Sequence, residues 1–281
     1  MQIIFFYFQL HNILNKLRFF SLASGSSGNC YFIGTMRHGI LIDAGIGVRN
    51  IKKRLKANGY GLENILGVFV THDHFDHIKS VGTLGEIYHL PIFSTENILN
   101  GINKNYGISE KLHNSRRPIE IDKATDIAEF RITPFAVSHD ATECIGYTVE
   151  YEGCRFTLAT DLGLVCENSA AHIRQADYLV IETNFDREML ENGRYPLFLR
   201  NRISGKKGHL CNDDAASFLA ENYHKKLKHI YLCHLSKQNN TPEKAFDTVR
   251  CHLERSGVNV GTDVQLTVLP RSECSDVFVY E

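Results

Sequence analysis

The chain has 281 residues, with 31 Lys and Arg against 32 Asp and Glu, for a net charge of −1. A hydrophobic share of 43% and a charged share of 22% are ordinary globular values, which exclude a disordered, collagenous or coiled-coil protein. Near-zero charge argues against a bulk polyanion binder but leaves room for a local basic patch. The unusual counts are 14 His and no Trp, and so many His point towards a metal site.

Residues 1–17 read as an N-terminal extension. The apolar run Ile3–Phe8 is too short to span a bilayer. Lys16 follows that run, whereas an export signal carries its basic residues in front. The expectation is an amphipathic extension or an upstream start codon, with no membrane segment. Six Pro, no repeat and no low-complexity linker predict one domain over 18–281. The eight Cys are scattered without a Cys-x-x-Cys pair, so they read as reduced thiols of a cytoplasmic protein. Cys30 and Cys233 fall in apolar strand-like runs, where Cys acts as a small hydrophobe.

In chain order, short strands are expected at 18–22, 30–34 and 39–43, separated by Gly/Ser turns. Val48–Asn58 has Ile51 and Leu55 four apart and Gly59 as a stop, which predicts a helix. The charges Lys52, Lys53 and Arg54 fall on its outer face and read most simply as solvation. Ile65–Val70 is an apolar strand and Ile127–Val137 a further strand region. Tyr147–Tyr151 and Arg155–Ala159 form a hairpin across Glu152-Gly153. Tyr178–Ile181 and His229–Cys233 are strands of the buried type. Asn212 is the expected cap of a helix whose first turn carries Asp213 and Asp214. Thr241 precedes a helix with Pro242 at its first position. Strands and helices intermix with hairpins, so an α/β fold with mixed sheets is expected rather than a purely parallel one.

The decisive stretch is Thr71-His72-Asp73-His74-Phe75-Asp76-His77, directly after the strand ILGVFV. His72 and His74, two apart on extended backbone, project to one side and can grip one ion. Asp76 and His77 come after a bend and can face a second. Imidazole suits Zn, Fe and Mn, and a carboxylate adds a hard oxygen and negative charge.

This motif resembles that of the metallo-β-lactamase superfamily, which implies a four-layer αββα sandwich. Three further ligands are expected in order, each just past an apolar strand: His139 after FAVS, Asp161 after FTLAT and His234 after HIYLC. The resemblance implies that His72, His74 and His139 hold one metal, that Asp76, His77 and His234 hold the other, and that Asp161 bridges them. Two divalent ions (Zn or Mn, with Fe possible) about 3.5–4 Å apart would share a hydroxide and stabilise both the attacking and the leaving oxygen. Asp76, Asp161 and His209 are the expected catalytic residues. Asp43 matches an acidic residue that orients ligands by hydrogen bonds; a plain turn aspartate is the competing reading.

The segments SLASGSSGN (21–29), Ser138-His139-Asp140, ATDLG (159–163) and Gly208-His209-Leu210 resemble the YycJ/WalJ subgroup, which implies a DNA exonuclease of 5′-to-3′ polarity. In Glu182–Asp186, Phe185 stands where relatives often carry His, and Asn184 is a substrate-binding candidate. Independently, Arg194–Asn212 holds Arg194, Arg200, Arg202, Lys206 and Lys207 with no acid before Asp213. Arg200, Arg202, Lys206 and Lys207 are candidate phosphate contacts on DNA, the alternative being a solvated basic face. Ser204–Gly208 is loop-like, so its N–H groups could meet an anion. The remaining His (11, 38, 89, 113, 172, 224, 229 and 252) lack a ligand context. Two rivals stand beside the nuclease: a hydrolase of small esters, thioesters or lactams, and a metal-stabilised binding protein without turnover. No obligate protein partner is evident.

Overall fold

Two seven-stranded sheets face each other in the computed structural model, which describes residues 15–280. The first contains β1 (Arg18–Gly25), β2 (Gly28–Gly34), β3 (Gly39–Ile42), β4 (Ile65–Phe69), β5 (Ile92–Ser94), β6 (Arg116–Pro118) and β14 (Phe278–Val279). The second contains β7 (Thr125–Ile127), β8 (Phe130–Ala136), β9 (Ile145–Tyr151), β10 (Cys154–Ala159), β11 (Tyr178–Glu182), β12 (His229–Cys233) and β13 (Gln265–Val268). Their orders are β14-β1-β2-β3-β4-β5-β6 and β13-β12-β11-β10-β9-β8-β7. Each sheet is mixed: β3 to β6 and β10 to β13 run parallel, while β1 to β3 and β7 to β10 alternate. With helices on both outer faces, this is the expected αββα sandwich.

The alternation of side chains sorts the core into layers. On β10, β11 and β12, Phe156, Leu158, Tyr178, Val180, Tyr231 and Cys233 point between the sheets and pack with Phe19 and Tyr31 of the other. Leu179, Ile181, Ile230 and Leu232 point outwards, against Ala215, Leu219, Ala245, Val249 and Leu253 of the helices Asn212–Asn222 and Pro242–Arg255. Strands buried on both faces must be apolar throughout, which is why these segments read as continuous hydrophobic runs. The helix Val48–Ala57 covers the first sheet through Ile51 and Leu55, as their spacing predicts.

Several expectations are revised. The strand region Ile127–Val137 is two antiparallel strands, broken at Ala128, whose φ is 49°. The cap at 212 moves back one residue. Cys211 Sγ accepts from the Asp214 N–H at 3.3 Å, while buried Asn212 exchanges amide hydrogen bonds with Asn240. Arg54 is not solvation: its guanidinium turns inward and donates to the carbonyls of Leu22 and Ser272. Of the extension, Leu17 is buried in the core and its carbonyl accepts from the Tyr280 N–H at 2.9 Å; the expectations for residues 1–14 lie outside the described residues.

His229 illustrates how β12 is held against its neighbours. Its ring stacks on Tyr231 at 4.0 Å and its nitrogens meet Tyr231 Oη at 3.0 Å and Thr267 Oγ1 at 2.8 Å. Burial pushes its pKa down to about 4. The unfolded chain takes up this proton near pH 6.5 and the folded one only near 4, so stability should fall as pH drops through that window. Denaturant titration of wild type and His229→Asn at several pH values checks this: the variant's stability should fall less steeply between pH 6.5 and about 4.

Candidate metal centre

Parallel strands deliver their carboxyl ends to the same edge, and that edge collects the chemistry. Asp43 follows β3, the His72–His77 motif follows β4, His139 follows β8, Asp161 follows β10, Glu182 ends β11 and His234 follows β12. The bend after His74 is the one-turn helix Phe75–Ile78, which carries Asp76 and His77. Asp43, Asp161 and His234 adopt positive φ of 60°, 55° and 56°, a left-handed conformation costing on the order of 1–2 kcal/mol each. Non-glycine residues in such backbone cluster at functional sites, where surrounding contacts enforce them.

The side chains converge as two groups. His72, His74 and His139 bring ring nitrogens within 4.8 Å of one another, and a carboxylate oxygen of Asp76 comes equally close to ring nitrogens of His77 and His234. The Asp161 carboxylate lies between them, 3.2 Å from His77 Nε2, 3.3 Å from His234 Nδ1 and 3.7 Å from His139 Nε2. All but His74 and Asp76 are buried.

The hydrogen bonds around these rings decide which nitrogen is offered. Nδ1 is held from outside the cluster in four of the five: His72 by Thr71 Oγ1 (3.0 Å), His77 by Asp43 Oδ2 (2.7 Å), His139 by the Gly208 carbonyl (2.8 Å) and His234 by Glu182 Oε1 (2.9 Å), whereas His74 Nδ1 faces His139 Nε2 at 3.3 Å. In each of these four Nε2 faces the cluster, that of His77 also meeting the Asn29 amide. Nε2 of His72 and of His234 is buried without a hydrogen-bond partner among the described residues, a costly state unless a cation takes the lone pair. Ring nitrogens and carboxylates together form a donor set for a divalent ion, so the residues present fit such a group.

Electrostatics point the same way. Burial pushes the Asp161 carboxyl up, but His234, His77 and His72 hold it well below its ordinary range. Burial and the neighbouring imidazoles push His72 well down, into the neutral form that can ligate. Burial opposes a charge on His77, yet Asp161, Asp43 and Asp76 raise it well above its usual value. Those carboxylates therefore draw a cation, whether a proton or a metal ion.

Asp43 is more than a turn residue. Its oxygens accept from the Thr71 N–H at 2.8 Å and the Thr71 hydroxyl at 2.9 Å while holding His77. Two buried residues were not singled out by sequence reasoning. Glu182 Oε1 lies 2.8 Å from His209 Nδ1 and 2.9 Å from His234 Nδ1, while Oε2 accepts from the N–H groups of Leu162 and Leu210. The available signal was an acid closing the apolar run YLVIE. Asn29 Nδ2 stands 2.9 Å from His77 Nε2 and 3.5 Å from Asp76 Oδ2.

The proposed substrate residues divide. His209 stands beside both groups, its ring 4.9 Å from that of His139 and 5.3 Å from that of His234. Burial lowers its pKa, but Glu182 outweighs this and the net shift is upwards. Asn184 is buried and its amide donates to the His234 carbonyl at 2.8 Å, so it braces the backbone of a candidate ligand. Arg202 pairs with Asp140 at 2.5 Å, and Arg200 donates to the Glu191 carbonyl. Lys206 and Lys207 are exposed. The loop 204–208 turns carbonyls towards the centre: Lys206 O accepts from Ser138 Oγ and Gly208 O from His139.

The protein family described as the β-lactamase superfamily domain matches residues 38–234. The chain belongs to the metallo-β-lactamase superfamily. Within that superfamily it is 36% identical over 245 residues to exodeoxyribonuclease YycJ of Bacillus anthracis, covering 87% of this chain and 92% of the relative. It is 33% identical to exodeoxyribonuclease WalJ of Streptococcus pneumoniae, covering 87% and 91%. Among solved structures, the metallo-β-lactamase fold protein YhfI of Bacillus subtilis superposes with a TM-score of 0.68 at 15% identity, covering 95% of this chain and all of that one. The metallo-β-lactamase fold implies divalent metal ions. No helix among the described residues is long and apolar enough to cross a membrane.

Proposed function

We propose that this chain is a metal-dependent hydrolase of phosphodiester bonds, a DNA exonuclease of 5′-to-3′ polarity. Its hydrolase domain would span 18–281 after an extension at 1–17, and its eight free cysteines suit the cytoplasm. The observation that carries this reading is the pair of ligand groups joined by Asp161, in a chain similar over 87% of its length to proteins named exodeoxyribonucleases.

His72, His74 and His139 would hold one divalent ion and Asp76, His77 and His234 a second, with Asp161 between; Zn, Mn or Fe all suit this donor set. When bound, such a pair supplies Lewis acidity to the phosphate oxygens and lowers the pKa of water. The chain's own residues do the rest. Asp43 and Glu182 fix the rings of His77 and His234, so that no reorganisation is needed as charge develops. His209, held through Nδ1 by Glu182, keeps Nε2 to donate a proton to the leaving oxygen. Arg202, on the helix Leu197–Ile203, and Lys206 and Lys207, on the loop that touches His139, would contact flanking phosphates.

The test is direct. Protein reconstituted with Mn or Zn should hold about two ions per chain by elemental analysis and degrade end-labelled duplex DNA. Hydrolysis of a chromogenic lactam or a thioester with DNA left intact would overturn the nuclease reading. One ion or fewer at full activity would overturn the dinuclear assignment.

A further inference from the structure

The helix Val48–Ala57 carries five basic residues, no acid in its first turn and none elsewhere in VRNIKKRLKA. Arg54 is used internally, against the carbonyls of Leu22 and Ser272. The other four, Arg49, Lys52, Lys53 and Lys56, are exposed and spaced i, i+3, i+4 and i+7, so they form one stripe on the outer face. Seven residues of helix make that stripe about 10 Å long. None of the four has an ion-pair partner among the described residues. Lys52, Lys53 and Lys56 line a surface groove of about 870 Å³ together with Tyr60, Leu62 and a single acid, Glu63, and Lys52 Nζ lies 5.0 Å from the centre of the exposed Tyr88 ring.

An ordinary solvated helix face looks different in this same protein. On Pro242–Arg255, Arg250 is matched by Asp247 at 3.0 Å and Glu254 at 3.4 Å. Like charges at i, i+3 and i+4 repel, and Arg49 in the first turn opposes the helix dipole. A chain with net charge −1 has no general excess of cations to place there. The helix also begins shortly after Asp43, on the chain segment that packs against the metal-centre motif. Gly45, two residues before the N-cap Gly47, packs so closely on Asp76 that a Cβ at 45 would stand 1.6 Å from the Asp76 carbonyl oxygen.

We infer that Arg49, Lys52, Lys53 and Lys56 form a track for the DNA backbone, leading from the metal centre along the outer helix and binding the strand beyond the nucleotide being cut. This rests on the nuclease reading. Its partner is a polyanion at least several nucleotides long, because the stripe extends past the reach of a single phosphodiester.

The experiment compares wild type with the triple variant Lys52→Gln/Lys53→Gln/Lys56→Gln, both metal-loaded. Binding is measured as a function of salt on duplexes whose ends carry phosphorothioate linkages that resist cleavage. Each lost phosphate contact removes about 0.9 from the slope of log affinity against log salt, so the variant should lose about two to three units. It should digest long DNA more slowly at moderate salt, while metal content and turnover of bis(p-nitrophenyl) phosphate stay at wild-type levels. An unchanged slope with unchanged long-DNA digestion overturns the track and leaves the nuclease reading standing. A wild type that binds DNA with the expected slope but cuts neither substrate overturns the nuclease reading alone. A wild type that does not bind DNA overturns both.

Discussion

Asp161→Asn should lower DNA cleavage by on the order of 10³-fold or more while the protein stays folded. The carboxylate approaches His77, His234 and His139, members of both ligand groups, so it is the side chain on which the two depend together. Asn keeps the size and the left-handed φ of 55° but loses the negative charge that offsets the surrounding imidazoles. Ala is a poorer probe, since a residue without a local hydrogen-bonding side chain adds backbone strain of about 1–2 kcal/mol at that φ. The matching measurement is metal content, expected to fall from about two ions per chain to about one. Cleavage within a few-fold of wild type, with both ions retained, would show that Asp161 does not join the groups.

His209→Ala should cost about 10²- to 10³-fold in kcat with little change in DNA affinity, because a proton donor acts on charge that develops only at the transition state. Glu182→Gln should cost roughly 10- to 100-fold, since it keeps the shape but weakens the bonds that orient His209 and His234. Glu182 acts through His209, so the double variant should fall short of the product of the two losses; simple multiplication would separate the two residues. A chromogenic diester with a good leaving group needs less protonation, and His209→Ala should be milder on it. Equal losses on both substrates would remove His209 from that role.

These expectations draw unequally on sequence and tertiary structure. The seven candidate ligands, His72, His74, Asp76, His77, His139, Asp161 and His234, are legible because the 72–77 motif and each of the three later residues come just past an apolar strand, and buried strands announce themselves by composition. The helix Val48–Ala57 and the Thr241 cap are legible for a similarly local reason, a 3.6-residue period and a hydroxyl before Pro. The short strands Ile92–Ser94 and Arg116–Pro118 are not legible, because three residues show no period and owe their extension to β4 and to each other. Cys211 takes the cap expected of Asn212 because the buried amides of Asn212 and Asn240 satisfy one another, a pairing 28 residues apart.

Residue type and local pattern suffice to place the ligands at strand ends and to make the helix at 48–57 basic. Long-range packing sets which nitrogens face inwards, that Glu182 braces two rings, that Asn184 supports His234 rather than facing out, and that Arg54 leaves the basic stripe. Residue type and local spacing set what a side chain can do. Which partner it meets depends on strands far apart in the chain, whose common edge exists only once both sheets have formed.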